Sequence, residues 1–548
     1  MDLVRRCVGS IIILTLCYYV ESLSKYELLI DVAHPIQITH SLSPSVASGV
    51  AIFEYGWINY FNDTKFVKLA QALGPMYYRI GGTKEDVVHF ETDTENLENI
   101  PHRAHAKKLG VLMDKCPTQP RNEAVFNSHS EWAETQMINN RENKRRLGVS
   151  KTFDPITLTP KEWDQLNEFC ECVGWKLIYG LSIQYREGQN WNSSNAQKLL
   201  DYTENRYHVN WELGNEPNSY RHKNETALTP EQIANGFNKL KQMLSTSTWW
   251  QPSEVFGPDL NRVGTKSAGQ YLKSFLKYGG ESINALTVHQ YYLNGHTATE
   301  GDFLLPSTLN KIIKQINQIV RIVELQQPHL PIWLGETASA YGGGAPGLSN
   351  SYIDGFTWLD KLGMSSKLGV HMVVRQTLLN GNYALLDKNF DPTPDYWLTL
   401  LYKTLVGNRV LNVTLSKCSS ASFCRNRNNG KLRVYAHCTS ARSGYPAGSV
   451  VVYFLNLSTN QLRLAMSPYR SHLMSSDLYL LEPVSGNLTT RYTQLNGVKL
   501  QLESDHSIPP LTPRQIHPRA LWKGIQIPSF TYGFLVLKRI GADACLSH

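Results

Sequence analysis

Two glutamates stand where acid–base and nucleophilic chemistry could be done. Glu216 follows Trp211-Glu212-Leu213-Gly214-Asn215 and precedes Pro217, and Glu336 sits in Trp333-Leu334-Gly335-Glu336-Thr337. Each ends an apolar run in a glycine-containing turn, where a parallel barrel presents side chains to a substrate. Two such carboxyls suit cleavage of a glycosidic bond: one, protonated, releases the leaving oxygen, and the other, ionised, attacks the anomeric carbon. At about 5 to 5.5 Å apart they leave no room for water between carboxylate and sugar, and configuration is retained through a covalent intermediate. On this reading Glu216 is acid/base and Glu336 nucleophile. Asn215 is placed to bond the sugar 2-hydroxyl, and His289 and Tyr291, at the end of another apolar run, to orient the nucleophile. A single glutamate after a strand is as often a surface residue. Two of them, one in an Asn-Glu-Pro turn, favour the chemical reading.

The elements that must position this pair read as an α/β architecture, a (β/α)8 TIM barrel with an additional β-sandwich. Over residues 46–400 short apolar runs alternate with helical patterns, the order of a barrel with a parallel inner sheet. Strands are predicted at Val50–Phe53, Tyr77–Ile80, Trp175–Gly180, Val209–Leu213, Ala285–His289, Ile332–Leu334 and Val370–Val374. Between them, Thr229 and Gln232 form a capping box with Pro230 in the first turn, ahead of an apolar face of Ile233, Phe237, Leu240 and Leu244. From 401 to 548 the texture changes to short alternating strands, which predicts the sandwich. Residues 25–45 alternate without a helix partner and are expected to join it. Residues 91–150 are polar, acidic at the start and basic at Arg141–Arg146, with no strand or helix pattern; so long a stretch in a compact enzyme is expected to be a lid, a linker or removed material.

The first 24 residues read as a secretory signal, with Arg5 and Arg6 ahead of the apolar run Val8–Val20. Six sequons follow, at Asn62, Asn192, Asn224, Asn412, Asn456 and Asn487. Beyond the signal lie seven cysteines, an odd number, with no metal-ligand spacing, so disulfides are the expectation in that compartment. With 42% hydrophobic and 18% charged residues the 548-residue chain is neither disordered nor a small disulfide scaffold. Its net charge of +8 attracts polyanions. No nucleic-acid-binding signature is present, so an acidic glycan is the polyanion that fits.

Several segments carry a resemblance: Arg79-Ile80-Gly81-Gly82-Thr83-Lys84, Trp191 to Ala196, Trp211 to Ser219, Tyr291 to Gly295, Trp333 to Pro346 and Asp391 to Leu398. Over nearly its whole length the chain resembles glycoside hydrolase family 79. The resemblance implies a retaining endo-β-glucuronidase acting on heparan sulfate and its proteoglycans, with Glu216 as proton donor, Glu336 as nucleophile and no cofactor or metal. It implies substrate contacts at Thr83, Asn215, His289, Tyr291, Tyr341, Gly342, Gly343, Gly381 and Tyr383. The glycines suit this, since absent side chains let backbone N–H groups approach a sugar carboxylate. Disulfides are implied between Cys438 and Cys545, and between Cys116 and either Cys172 or Cys170. So are secretion to lysosome or extracellular matrix, and an activating protease that excises the 91–150 segment to leave a light chain and a heavy chain. The chain departs from the family pattern in places. Arg262-Val263-Gly264-Thr265-Lys266 replaces a Gln and two Args, His296 replaces an Arg, and Glu54 stands for an Asp, while Lys151 matches, so that Lys151, Arg262, Lys266 and His296 are the further substrate contacts expected. Two other readings remain open: an exo-acting β-glucuronidase of the family, and a heparan sulfate-binding protein without turnover.

Overall fold

The computed structural model describes residues 24–91, 116, 118–146, 153–223, 226–420, 423–425, 430–466 and 475–546. The signal segment up to residue 23, Lys151 and the sequon at Asn224 lie outside the described residues. Eight parallel strands form the central sheet: β1 Ser45–Gly49, β2 Tyr77–Gly81, β3 Lys176–Leu181, β4 Asn210–Leu213, β5 Phe256–Leu260, β6 Ala285–Asn294, β7 Ile332–Tyr341 and β8 Val370–Gln376. Their spatial order is β4-β3-β2-β1-β8-β7-β6-β5. A bridge between Trp211 and Val255 brings β4 against β5 and closes the barrel.

Burial on both faces explains why these strands read as short apolar runs rather than as alternation. Ala47, Tyr77, Ile178, Phe256, Ala285, Trp333, Met372 and Val374 pack together in the lumen. Two residues on from Tyr77 along the same face comes Arg79, so the layer above this plug is ionic. The capping boxes at Thr159/Glu162 and Thr229/Gln232 start the helices Pro160–Val173 and Pro230–Leu244.

Three local expectations differ from the structure. The strand expected at Val50–Phe53 lies earlier, at Ser45–Gly49, and Ala51–Glu54 is a helical turn; the ladder with β2 ends at Gly49 opposite Gly81, and the chain turns there. Strand β5 was not marked, because Gly257-Pro258 reads as a breaker. The 91–150 segment, read as lacking periodic structure, contains the helix Glu123–Arg146. Its anchor is a few apolar residues rather than a full stripe. Phe126 is buried in edge-on contact with Tyr60, 4.9 Å between rings, and beside Phe390 at 5.0 Å.

A second unit of two sheets packs on the barrel. The five-stranded sheet includes Lys25–Ile30, between Val413–Ser420 and Leu462–Ala465. The nine-stranded sheet lies against the helices Asp354–Lys367 and Pro394–Leu405. At that junction Tyr352 stacks on Tyr532 at 4.6 Å, and Asp360 accepts hydrogen bonds from Arg433 Nε and from Tyr435 Oη, the latter at 2.6 Å.

Disulfides join Cys116 to Cys172 and Cys438 to Cys545. Cys418 is also disulfide-bonded, on a strand that sets it opposite Cys424. Cys170 is a buried free thiol. Asn62, Asn412 and Asn487 are exposed, and Asn192 is half-buried. Asn456 is a correction to the sequon reading. It is fully buried, with Nδ2 donating to the carbonyls of Asn460, Ile527 and Pro528, so the folded chain offers no acceptor nitrogen there.

Candidate active site

A cleft of about 600 Å³ opens at the C-terminal ends of the strands. Its lining includes Thr83, Glu216, Asn261, Arg262, His289, Tyr291, Glu336, Tyr341, Gly342, Gly343 and Tyr383. One carboxylate oxygen each of Glu216 and Glu336 and one ring nitrogen of His289 lie within 4.8 Å of one another. Such a trio is within reach of a single cation. Here, however, protein donors already engage all four carboxylate oxygens, which suits orientation and proton transfer better than ligation. Glu336 Oε2 accepts from Arg79 Nη1 at 3.0 Å and Oε1 from Tyr291 Oη at 2.6 Å. Glu216 Oε1 lies 3.1 Å from His289 Nδ1, and Oε2 accepts from Asn261 Nδ2 at 2.8 Å. Tyr291 therefore holds Glu336, the contact its position suggested. His289 contacts the other glutamate instead, and its Nε2 lies 3.4 Å from Asp259 Oδ1.

Beneath the pair, the buried Arg79 guanidinium gathers side chains from β4, the turn after it and β5. Nε donates to Glu212 Oε2 at 2.6 Å, and Nη2 donates to Asp259 Oδ2 at 2.6 Å and to Asn215 Oδ1 at 3.2 Å. Burial alone would favour a neutral Arg79, but Glu212, Asp259, Glu336 and Glu85 outweigh it and hold the guanidinium charged. Burial likewise pulls the His289 ring down. Glu336 and Asp259, with the bonds to Asp259 and Glu216, overcome this and raise it to about 10, so it is an imidazolium at neutral pH. Burial lifts Glu212 to about 8 and Glu85 well above the carboxylate range, against the pull of Arg79. Asp259 goes the other way: burial pushes it up, but Arg79 and His289 hold it below its ordinary range. The layer thus sets two cations among carboxyl groups, on which burial and the cations act in opposite directions.

Asn215 is buried against Arg79 and accepts from it. Gly342 and Gly343 take left-handed conformations, φ 81° and 92°, in the turn that brings their backbone to the cleft. His296 is exposed at the rim beside Gly342. Gly381 lies in the loop before Tyr383, whose ring is 6.4 Å from that of Tyr291. Glu54 forms an ion pair with Lys84. Lys266 is not brought into the cleft. It opens the helix Lys266–Gly279 and lines a separate surface groove of about 760 Å³ with Lys273, Lys314 and Arg321. Sequence reading missed Glu212, Asp259 and Asn261, and saw Arg79 only as part of a matching segment. It also missed Gln290 and Gln376, whose buried Oε1 atoms have no partner and border the cleft. The available signal was alternation from Tyr77 to Arg79 and the Gly-Pro-Asp run ending an unmarked strand.

The profile of the glycosyl hydrolase family 79 N-terminal domain matches residues 120–363. Heparanase from Mus musculus is 38% identical over 498 residues, covering 89% of this chain and 88% of the relative. The chain belongs to glycosyl hydrolase family 79. Inactive heparanase-2 of Homo sapiens is 31% identical over 548 residues, covering 95% of this chain and 90% of the relative. Hyaluronoglucuronidase of the leech Hirudo nipponia is 31% identical over 500 residues, covering 88% and 90%. The 4-O-α-L-rhamnosyl-β-D-glucuronidase of Fusarium oxysporum 12S shares the family 79 chain's fold, with a TM-score of 0.57 at 14% identity, covering 94% of this chain and 100% of that one. Among the described residues no helix is long and apolar enough to cross a membrane.

Proposed function

We propose that the chain is a retaining endo-β-glucuronidase cleaving internal glucuronosyl linkages of heparan sulfate. The carrying observation is the approach of Glu216 and Glu336 oxygens to within 4.8 Å. That spacing belongs to a carboxylate attacking the sugar directly, whereas an inverting pair stands roughly 6.5 to 9.5 Å apart with a water between. In the first step Glu336 attacks the anomeric carbon while Glu216 gives its proton to the departing glycosidic oxygen, leaving a glycosyl ester. In the second, Glu216 takes a proton from water, whose oxygen displaces Glu336 and restores both groups. Tyr291 and Arg79 hold the nucleophile in position between steps. The backbone of Gly342 and Gly343 serves the uronate carboxylate.

Secretion and activation by excision within 91–150 follow on this reading. Support for the excision comes from the helix Glu123–Arg146, which lies against the loop carrying Gly381 and Tyr383: Glu134 pairs with Lys388 at 2.6 Å, and Ser130 donates to the Lys388 carbonyl. One observation favours a second reading, an unsulfated glucuronate-containing glycan such as hyaluronan. Arg262 and His289 are the cations among the described lining residues, and Lys266 stands off the cleft. Heparan sulfate and hyaluronan are therefore assayed side by side, with product size separating internal from terminal cleavage. Glu336→Gln should abolish turnover and leave binding within about threefold, because attack needs the ionised carboxylate and docking does not. Near-wild-type turnover by this variant, or release of the inverted anomer by the wild type, refutes the proposal.

A further inference from the structure

The structure assigns Asn261 as a positioning residue that fixes the carboxyl plane of Glu216 and eases departure of its proton. The inference rests on Glu216 being the acid/base. Asn261 Nδ2 donates to Glu216 Oε2 at 2.8 Å, while its own Oδ1 accepts from Ser219 Oγ at 2.6 Å. Flipping the amide would break both bonds, so the donor end is held toward the carboxyl. The backbone is tied as well. Asn218 Nδ2 donates to the Asn261 carbonyl at 3.0 Å, and the Asn261 N–H donates to Asn218 Oδ1 at 3.2 Å. Four hydrogen bonds thus clamp the turn after β4 to the loop after β5.

The clamp acts on a strained residue, since Glu216 sits at φ 59°, in the left-handed region. His289 meets Oε1 and Asn261 donates to Oε2, and rotation of the group loses both contacts. An N–H donor stabilises a carboxylate more than a carboxylic acid. Asn261 therefore assists proton release toward the leaving oxygen. The other titratable or charged groups around this point are Arg79 from β2, Asp259 from β5, Arg262 from the loop after it, His289 and Tyr291 from β6 and Glu336 from β7.

The test is kcat/KM against pH for aryl β-glucuronides with good and poor leaving groups, in wild type, Asn261→Ala, Asn261→Asp and Ser219→Ala. Asn261→Ala should lose about tenfold on the poor leaving group and stay within about threefold on the good one, mainly in kcat. Its alkaline limb should move up by about half to one pH unit, because the proton is held more tightly without the donor. Asn261→Asp should move the limb further, and Ser219→Ala, which frees the amide, less but in the same direction. A limb that stays put, or a loss equal across leaving groups, overturns the inference. Should neither Asn261 variant fold, Ser219→Ala decides by the same criteria. Glu216→Gln is the control. A uniform loss across leaving groups in that variant sinks the acid/base reading and the inference with it; a graded loss there with unmoved Asn261 variants sinks only the inference.

Discussion

At the scale of single residues the site is a problem in charge placement. Arg79 and His289 bring two positive charges into a layer almost closed to water, where an unpaired charge is costly and a paired one is held firmly in place. His289 contributes to stability through its charge. Its folded-state affinity for the proton is raised from 6.5 to about 10, so its stabilising share is complete below about pH 6.5 and is lost as pH rises through about 10. Replacing it by Gln keeps a donor of similar reach but removes the titration. Thermal melts at pH 6, 8 and 10 should show the gap between wild type and His289→Gln shrinking as pH rises. A gap independent of pH would mean that the ring is neutral in the folded protein.

At the scale of elements, position in the barrel decides what a residue can do. On β3, Gly180 faces the buried Glu85 carboxyl, and a Cβ there would stand 2.7 Å from Glu85 Cδ. Glu85 is fully buried, with Oε2 accepting from the Gly82 N–H at 2.9 Å, so it has no easy retreat. Gly180→Ala should therefore destabilise the fold by about 1 to 3 kcal/mol, read from thermal or denaturant unfolding. Stability within about 0.5 kcal/mol of wild type would show that Glu85 can move aside. Much of this scale was legible in the sequence: six of the eight barrel strands coincide with the apolar runs that predict them, and Thr229-Pro230 announces its helix. What was not legible was an element whose residues are breakers, as in β5, or one with too few apolar anchors to form a stripe, as in the helix Glu123–Arg146.

For the whole molecule, the segment between β2 and β3 divides the chain at a telling place. Residues before it supply β1 and β2, which lie between β8 and β3 in the barrel, and the strand Lys25–Ile30 inside the five-stranded sheet. Neither piece can close its sheets alone, and parting them would expose both cores. Cutting on both sides of Glu123–Arg146 should leave two polypeptides that co-elute on gel filtration under native conditions even after the Cys116–Cys172 bond is reduced. Separate elution of the pieces would show that the barrel does not hold them together.

The sequence by itself determined the two glutamates, the strand that precedes Glu216 and the strand that carries Glu336, though that strand runs on to Tyr341 rather than ending at the glutamate, the alternation of strand and helix, the helix caps and the family resemblance. These are properties of a few consecutive residues, or of a pattern repeated along the chain. Tertiary structure decided what depends on residues far apart in sequence meeting in one layer. Arg79 reaches Glu212, Asp259 and Glu336 across separations of 133, 180 and 257 residues, and no local pattern reports such a meeting. The same holds where the structure altered a reading. Asn456 has an acceptor motif but is buried by carbonyls from a later strand, and Lys266 follows Arg262 by four residues yet faces a different groove because it is the first residue of the helix that leaves the cleft. Motifs fix what a side chain is able to do. Burial, neighbours and direction, which arise only when the chain closes on itself, fix what it does.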